Sequence, residues 1–225
     1  MANRAFIEGL ESRVLLSAAP KPPVLFNPTI KADRLQVRAD LLKFQSDIFS
    51  WDAKLLRDTT AVRENVAKGD TSLVAPFAAL RTQVQAMRTS LLEDRLNESI
   101  SALHDEATIK GDILQIIKDR KNSSAETADH AKLMGDRAQL QNDLVAGLNS
   151  RIATRTTDAS AIATAAQGLV TAANSDPNAS SALQAAVGTF ATDRSNCVTA
   201  LASDLQTIAN ARTQLSTDLT AAEST

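Results

Sequence analysis

Two histidines, one cysteine and several neighbouring carboxylates are the groups in this chain best suited to catalysis or metal binding. Their spacing supports neither. Ser101 and Thr127 stand three residues before His104 and His130, where a di-iron helical bundle needs Glu in a Glu-x-x-His pair. Glu126 and His130 are four apart with Asp129 beside them, a geometry that could hold a metal loosely. Two neighbouring ligands without a third read instead as a solvated helix face. The adjacent acids Glu93-Asp94 and Asp105-Glu106 point about 100° apart on a helix, so neither pair can share a proton or a cation. No glycine-rich phosphate loop, dinucleotide fingerprint or nucleophile elbow is present. The sequence therefore assigns no catalytic, cofactor-binding or metal-ligating residue, and the chain reads as non-enzymatic.

The remaining candidates have plain structural readings. Cys197 follows Phe190 by seven residues on an apolar stripe and reads as a small buried hydrophobe, with an intermolecular disulfide as the sharper alternative. Trp51, on a heptad row, reads as core rather than as the floor of a ligand pocket. Lys118, Arg120 and Lys121 crowd a helix C-terminus, where cations complement the helix dipole. Asn97, Asn122 and Asn178 each head an Asn-x-Ser/Thr triplet, a pattern common by chance in a chain rich in Ser and Thr.

Long helices must position all of these groups. Aromatic content is 3% with no Tyr, which disfavours a β-rich core. From Val37 to Val66 apolar residues recur at alternating four- and three-residue spacing, through Leu41, Phe44, Ile48, Trp51, Leu55 and Val62. A second row at Leu35, Leu42, Phe49 and Leu56 is read as widening that face, making this helix the densest part of the core. The next stripe runs through Leu73, Phe77, Leu80, Val84, Met87 and Leu91. Near Arg95 it changes phase, continuing through Leu92, Leu96, Leu103, Ile113 and Ile117, which reads as a stutter. Met134, Ala138, Val145, Leu148, Ile152, Ile162 and Leu169 mark a third helix. Leu183, Val187, Phe190, Cys197, Leu201, Leu205, Ile208, Leu215 and Leu219 mark a fourth.

Boundary signals place these helices at about 30–68, 72–121, 124–173 and 177–222. Thr29 caps the first, Gly69 terminates it, and Ser123 with Glu126 forms a capping box for the third. Pro177 opens the fourth as its first residue. Similar lengths and short connections predict an all-α, elongated antiparallel bundle or coiled coil spanning residues 29–222. Ala, Ser and Thr supply 40 of the 75 residues in 151–225 but 21 of 75 in 31–105. The small side chains of the C-terminal hairpin bury less area, so it is expected to be the less stable half. Ala161, Ala165, Gly168 and Ala172 form a small-residue stripe there for close backbone approach.

A net charge of −2 leaves no basic stripe for nucleic acid, and no apolar run approaches a transmembrane span. Leu10-Glu11-Ser12-Arg13-Val14-Leu15-Leu16, followed by Ser17-Ala18, resembles the LEPR-XLL motif near the start of many bacterial exported or surface proteins. Leu10, Glu11, Arg13, Leu15 and Leu16 match the pattern, and Ser12 stands in place of its proline. The resemblance implies a sorting element in a tag of residues 1–19. Pro20, Pro22, Pro23 and Pro28 form an extended linker, 20–28, behind it. The expected function is structural or interactive: an exported or envelope-associated bundle that holds a protein partner or a copy of itself. A cytoplasmic coiled-coil adaptor is the second reading. A helical carrier of an apolar ligand, or a peripheral membrane binder, is the third.

Overall fold

The computed structural model describes residues 27–120 and 123–223, with backbone alone at residues 123 and 223. The tag, its motif and residues 20–26 of the linker lie outside the described residues. Four long helices account for nearly all the rest: α1 (Pro28–Asn65), α2 (Val74–Asp119), α3 (Ser123–Ser175) and α4 (Ser181–Glu223). The fold is the expected all-α bundle.

The ends differ from expectation where a stronger local cap exists. Asn27, rather than Thr29, caps α1: its side chain accepts the Thr29 N–H at 3.0 Å, and Pro28 supplies the first helical residue. α1 stops at Asn65, and Gly69 serves the following turn instead of the helix end. The Asp70 N–H donates to the Ala67 carbonyl at 3.0 Å, with Gly69 at φ 88°, a conformation that costs glycine nothing. Pro177 lies in a turn rather than at the head of α4. The Asp176 side chain accepts the Asn178 N–H at 2.8 Å, and Ser180 Oγ accepts the Leu183 N–H at 3.1 Å as the cap of α4. The Ser123 side chain lies outside the described residues.

Three of the four seams that would close a square bundle are formed. α1 packs on α4, α4 on α3, and α3 on α2; α1 and α2 do not pack along each other. The central hairpin α3–α4 therefore has neighbours on two sides, whereas α1 and α2 each have one. This reverses the expected distribution of the core. Ten of the eleven largest fully buried side chains belong to α3 or α4, among them Met134, Leu148, Ile162, Leu169, Leu205 and Ile208, and Val62 is the one from α1. Trp51, expected in the densest region, is half-buried at the edge of the main cluster. Position in the bundle outweighs side-chain size: buried Ala166, Ala173, Ala191 and Ala209 let α3 and α4 approach closely while their larger neighbours fill the interior. The fully buried positions of this part of α3 are one residue on from the predicted stripe, of which Ala165 and Ala172 pack at the cluster's edge. Ile162, Ala166, Leu169 and Ala173 are buried, and Gly168 is exposed.

Two apolar rows read as core lie outside. Leu35, Leu42, Phe49 and Leu56 are all exposed, Leu56 by 68%. Each stands two residues before a core position such as Val37, Phe44 or Trp51, which at 100° per residue turns it well away from that face. On α2 the buried face does not change phase. It continues at steady three- and four-residue spacing from Leu80, Val84 and Met87 through Asp94, Glu98, Ser101, Asp105, Ile109, Asp112 and Ile116. What changes is its chemistry, from apolar to acidic. Leu92, Leu96, Leu103 and Ile117, the supposed continuation of the stripe, are exposed.

Candidate functional site

The acidic half of α2 packs on α3 through facing carboxyls. Asp105 meets Asp143, Asp112 meets Asp136 and Asp119 meets Asp129, each pair within hydrogen-bonding reach. The α1–α4 seam repeats the device with Asp33 on Asp218, Asp47 on Asp204 and Asp58 on Asp193. The spacing explains the encounters. Residues 105, 112 and 119 mirror 129, 136 and 143 across the α2–α3 turn, seven apart on both sides, so antiparallel packing brings them level. The spacings of 14 and 11 between residues 33, 47 and 58 recur in reverse among 193, 204 and 218, so those pairs come level as well.

Six of these carboxyls, at Asp33, Asp58, Asp105, Asp112, Asp129 and Asp193, each hold a buried Oδ2 that no donor reaches. Two such groups face to face need a shared proton or a cation between them. Lysines supply the cation at some levels. Lys43 Nζ lies 2.6 Å from Asp47 and 2.7 Å from Asp204. Lys132 bridges Asp112 and Asp136, and Lys54 Nζ is 2.6 Å from Asp193, also standing 5.2 Å over the Trp51 ring. Asp33–Asp218 and Asp105–Asp143 have no lysine. Gln214 donates to Asp218, and Ser101 and Gln139 donate to Asp143, so donors reach only one member of each pair. Burial, reinforced by the opposing carboxyl, pushes Asp33 up to about 6 and raises Asp58, Asp105, Asp112 and Asp129. Lysine or other donors hold Asp47, Asp136 and Asp176 down.

Further along the α2–α3 seam the contact is close and charged. Arg151 Nη2 lies 2.8 Å from Glu98 Oε2, with both side chains largely buried. Ser150 and Thr154 donate to Asp94 at 2.6 and 2.8 Å. Gly147 faces Glu98, and a Cβ there would fall 2.7–2.8 Å from Glu98 Cγ and Cβ. The α3–α4 seam is different in kind. It is apolar apart from neutral or singly charged contacts, such as Arg212 Nη1 to Gln141 Oε1 at 2.7 Å and Ser216 Oγ to Asn142 Oδ1 at 2.7 Å. The bundle is thus a firmly packed hairpin carrying two outer helices on seams that interleave apolar packing with facing carboxyls.

Those outer helices present the apolar rows. Among the described residues, every large hydrophobic side chain that is strongly exposed lies on α1 or α2: Leu35, Leu42, Phe49 and Leu56 on one, and Val74, Leu92, Leu96, Ile100, Leu103, Leu114 and Ile117 on the other.

The residues singled out for chemistry remain dispersed. Glu126 Oε1 and His130 Nε2 are 3.9 Å apart, beyond a hydrogen bond, and no group of three or more potential metal ligands exists among the described residues. Cys197 is buried in the main cluster, which raises its thiol pKa. No described helix is long and apolar enough to cross a membrane. Leu10, Glu11, Arg13, Leu15 and Leu16 lie outside the described residues. No protein-family model matches the chain, no curated protein is detectably similar to it, and no solved structure matches its fold.

Proposed function

We propose that this protein is a non-enzymatic interaction module, a helical bundle that associates with a second copy of itself through the outer faces of α1 and α2. One observation carries the reading: strongly exposed large hydrophobics are confined to those two helices and fall in rows at helical spacing. Scattered apolar residues on a surface need no explanation, whereas continuous rows mark association faces. Because the same surface is presented by every copy, two copies can bury it in a symmetric, isologous contact. Replacing Phe49 and Leu56 with Glu tests this. Loss of self-association with retained helicity supports it, and an unchanged particle mass contradicts it.

The LEPR-XLL resemblance at residues 10–16 supports placing this activity outside the cytoplasm or in the cell envelope. Fractionation of source cells, followed by intact mass of the native chain, tests that placement. Envelope material trimmed near Ala18 or Ala19 supports export, and a full-length chain confined to the cytosol contradicts it.

A further inference from the structure

Between the exposed Leu35, Leu42, Phe49 and Leu56 of α1 stand Ala39, Ser46, Ala53 and Thr60, all exposed as well. Together they step along the helix by four and three residues in turn, the heptad spacing of a helix that pairs with another through knobs and holes. At 100° per residue this face lies about 150° around α1 from the Val37, Phe44 and Leu55 face that packs on α4. One position of each heptad is always large, and the other is always Ala, Ser or Thr. A parallel pair of such helices stacks large on large and small on small in successive layers. An antiparallel pair centred between residues 47 and 48 does the opposite. Leu35 meets Thr60, Leu42 meets Ala53, Phe49 meets Ser46 and Leu56 meets Ala39, and the two-fold axis repeats each layer. Each layer then sets a large side chain against a small one over a seam of about 38 Å, the alternation under which layers interdigitate. The Thr60 hydroxyl donates to the Leu56 carbonyl at 3.0 Å and is satisfied within its own helix.

Charge separates the same two arrangements. In the antiparallel register the flanking residues meet as Gln36 with Arg57, Lys43 with Ser50, Arg38 with Thr59 and Gln45 with Asp52, and no like charges are opposed. Lys43 is already neutralised by Asp47 and Asp204 of its own copy. Parallel pairing sets Arg38 of one copy against Lys43 of the other, and the exposed Asp52–Arg57 pair that it also creates contributes little. We propose that two copies of this chain join α1 to α1 as an antiparallel zipper, its two-fold axis between residues 47 and 48. This contact rests on the self-association proposed above, and adds to it the helix at its centre, the direction and the register.

Spin labels on Lys31→Cys and on Ser50→Cys, both exposed positions of α1, test the direction in the full-length chain by electron–electron resonance. The native Cys197 is buried, and the wild-type chain serves as the labelling control. At 1.5 Å per residue the two labels of a Lys31→Cys dimer stand about 50 Å apart along the seam, and those of a Ser50→Cys dimer about 8 Å. A long distance at 31 with a short one at 50 is the expected result, and any other pattern in a dimer overturns the contact while self-association stands. The register is tested by exchanging one layer. Ala53→Leu sets Leu on Leu42 and should weaken dimerisation at least about tenfold by overpacking. Adding Leu42→Ala restores one large and one small residue to that layer, and should recover most of the loss. Both positions are exposed, so folding is not at risk. A double variant no tighter than Ala53→Leu alone overturns the register. A wild-type chain that stays at one chain mass overturns self-association itself, and this contact with it.

Discussion

Replacing Asp105 with Asn should stabilise the protein at neutral pH, although it removes a native buried group. Asp105 is 9% exposed, its Oδ2 meets no donor, and Asp143 faces it from α3. Asp143 already accepts from Ser101 at 2.9 Å and Gln139 at 2.8 Å, so it is the member better suited to carry charge. An amide at 105 keeps the shape, removes one like charge and donates an N–H to the Asp143 carboxylate. A hydrogen bond to a charged partner contributes about 1.5–3 kcal/mol, and part of that is offset by imperfect geometry at a site built for two acids. A net gain of about 1–2 kcal/mol at pH 7 follows. For a chain of this size it should raise Tm by roughly 2–8 °C. At pH 3.5, below even the ordinary aspartate value of 3.8, Asp105 with its raised pKa is protonated and itself donates to Asp143, so the advantage of Asn should nearly vanish. Thermal melts followed by circular dichroism at both pH values measure the difference. A Tm lowered at pH 7, or an equal gain at both pH values, would refute the paired-carboxyl account.

The wild-type protein should lose stability as pH rises from about 4 to 6. Asp33 has a folded pKa raised from its ordinary 3.8 to about 6, so its stabilising proton is fully held below 3.8 and lost through 6. A change of that size corresponds to about 3 kcal/mol, which solvent access to the half-buried carboxyl reduces to about 1. Asp47, held down by Lys43, and Asp136, held down by the Asp112 carboxyl and then by Lys132, contribute in the opposite sense, but only below the ordinary carboxylate range. Urea midpoints at pH 4.5, 5.5 and 6.5 should therefore fall in that order, and a rise would count against the prediction. Gly147→Ala should cost about 1–3 kcal/mol by overpacking, because the new Cβ meets Glu98 and forces α2 off α3; a neutral change in the urea midpoint would show that the seam yields freely. Leu169→Ala, at a fully buried position, should cost about 2–5 kcal/mol, and Trp51→Ala, half-buried, less than that. The reverse order would return the densest packing to α1.

The helices were legible because their apolar spacing and turn residues agree. The stripe through Val37, Phe44 and Leu55, and those through Leu148 to Leu169 and Leu183 to Leu219, all pack inward as read. Errors arose where apolarity and burial part company. Leu92, Leu96 and Leu103 look like core by composition, yet the face they occupy is the outer one, and Asp105 and Asp112 are buried in their place. A rule that assigns apolar rows to the interior cannot detect an inverted helix. The carboxyl pairs did leave a trace: aspartates seven apart before the turn near residue 124 and seven apart after it, at equal distances. Read singly, each is one acid on a long helix; read across an antiparallel hairpin, they coincide.

The central claim, association through the exposed faces of α1 and α2, is tested most directly by the solution mass of the full-length protein. Light scattering at about 100 μM, below and above which mass action shifts the population, gives that mass without labels. The account predicts at least twice the 23.9 kDa chain mass, returning to one chain mass when Phe49 and Leu56 are replaced by Glu. A wild-type chain that stays at 23.9 kDa at that concentration would contradict it.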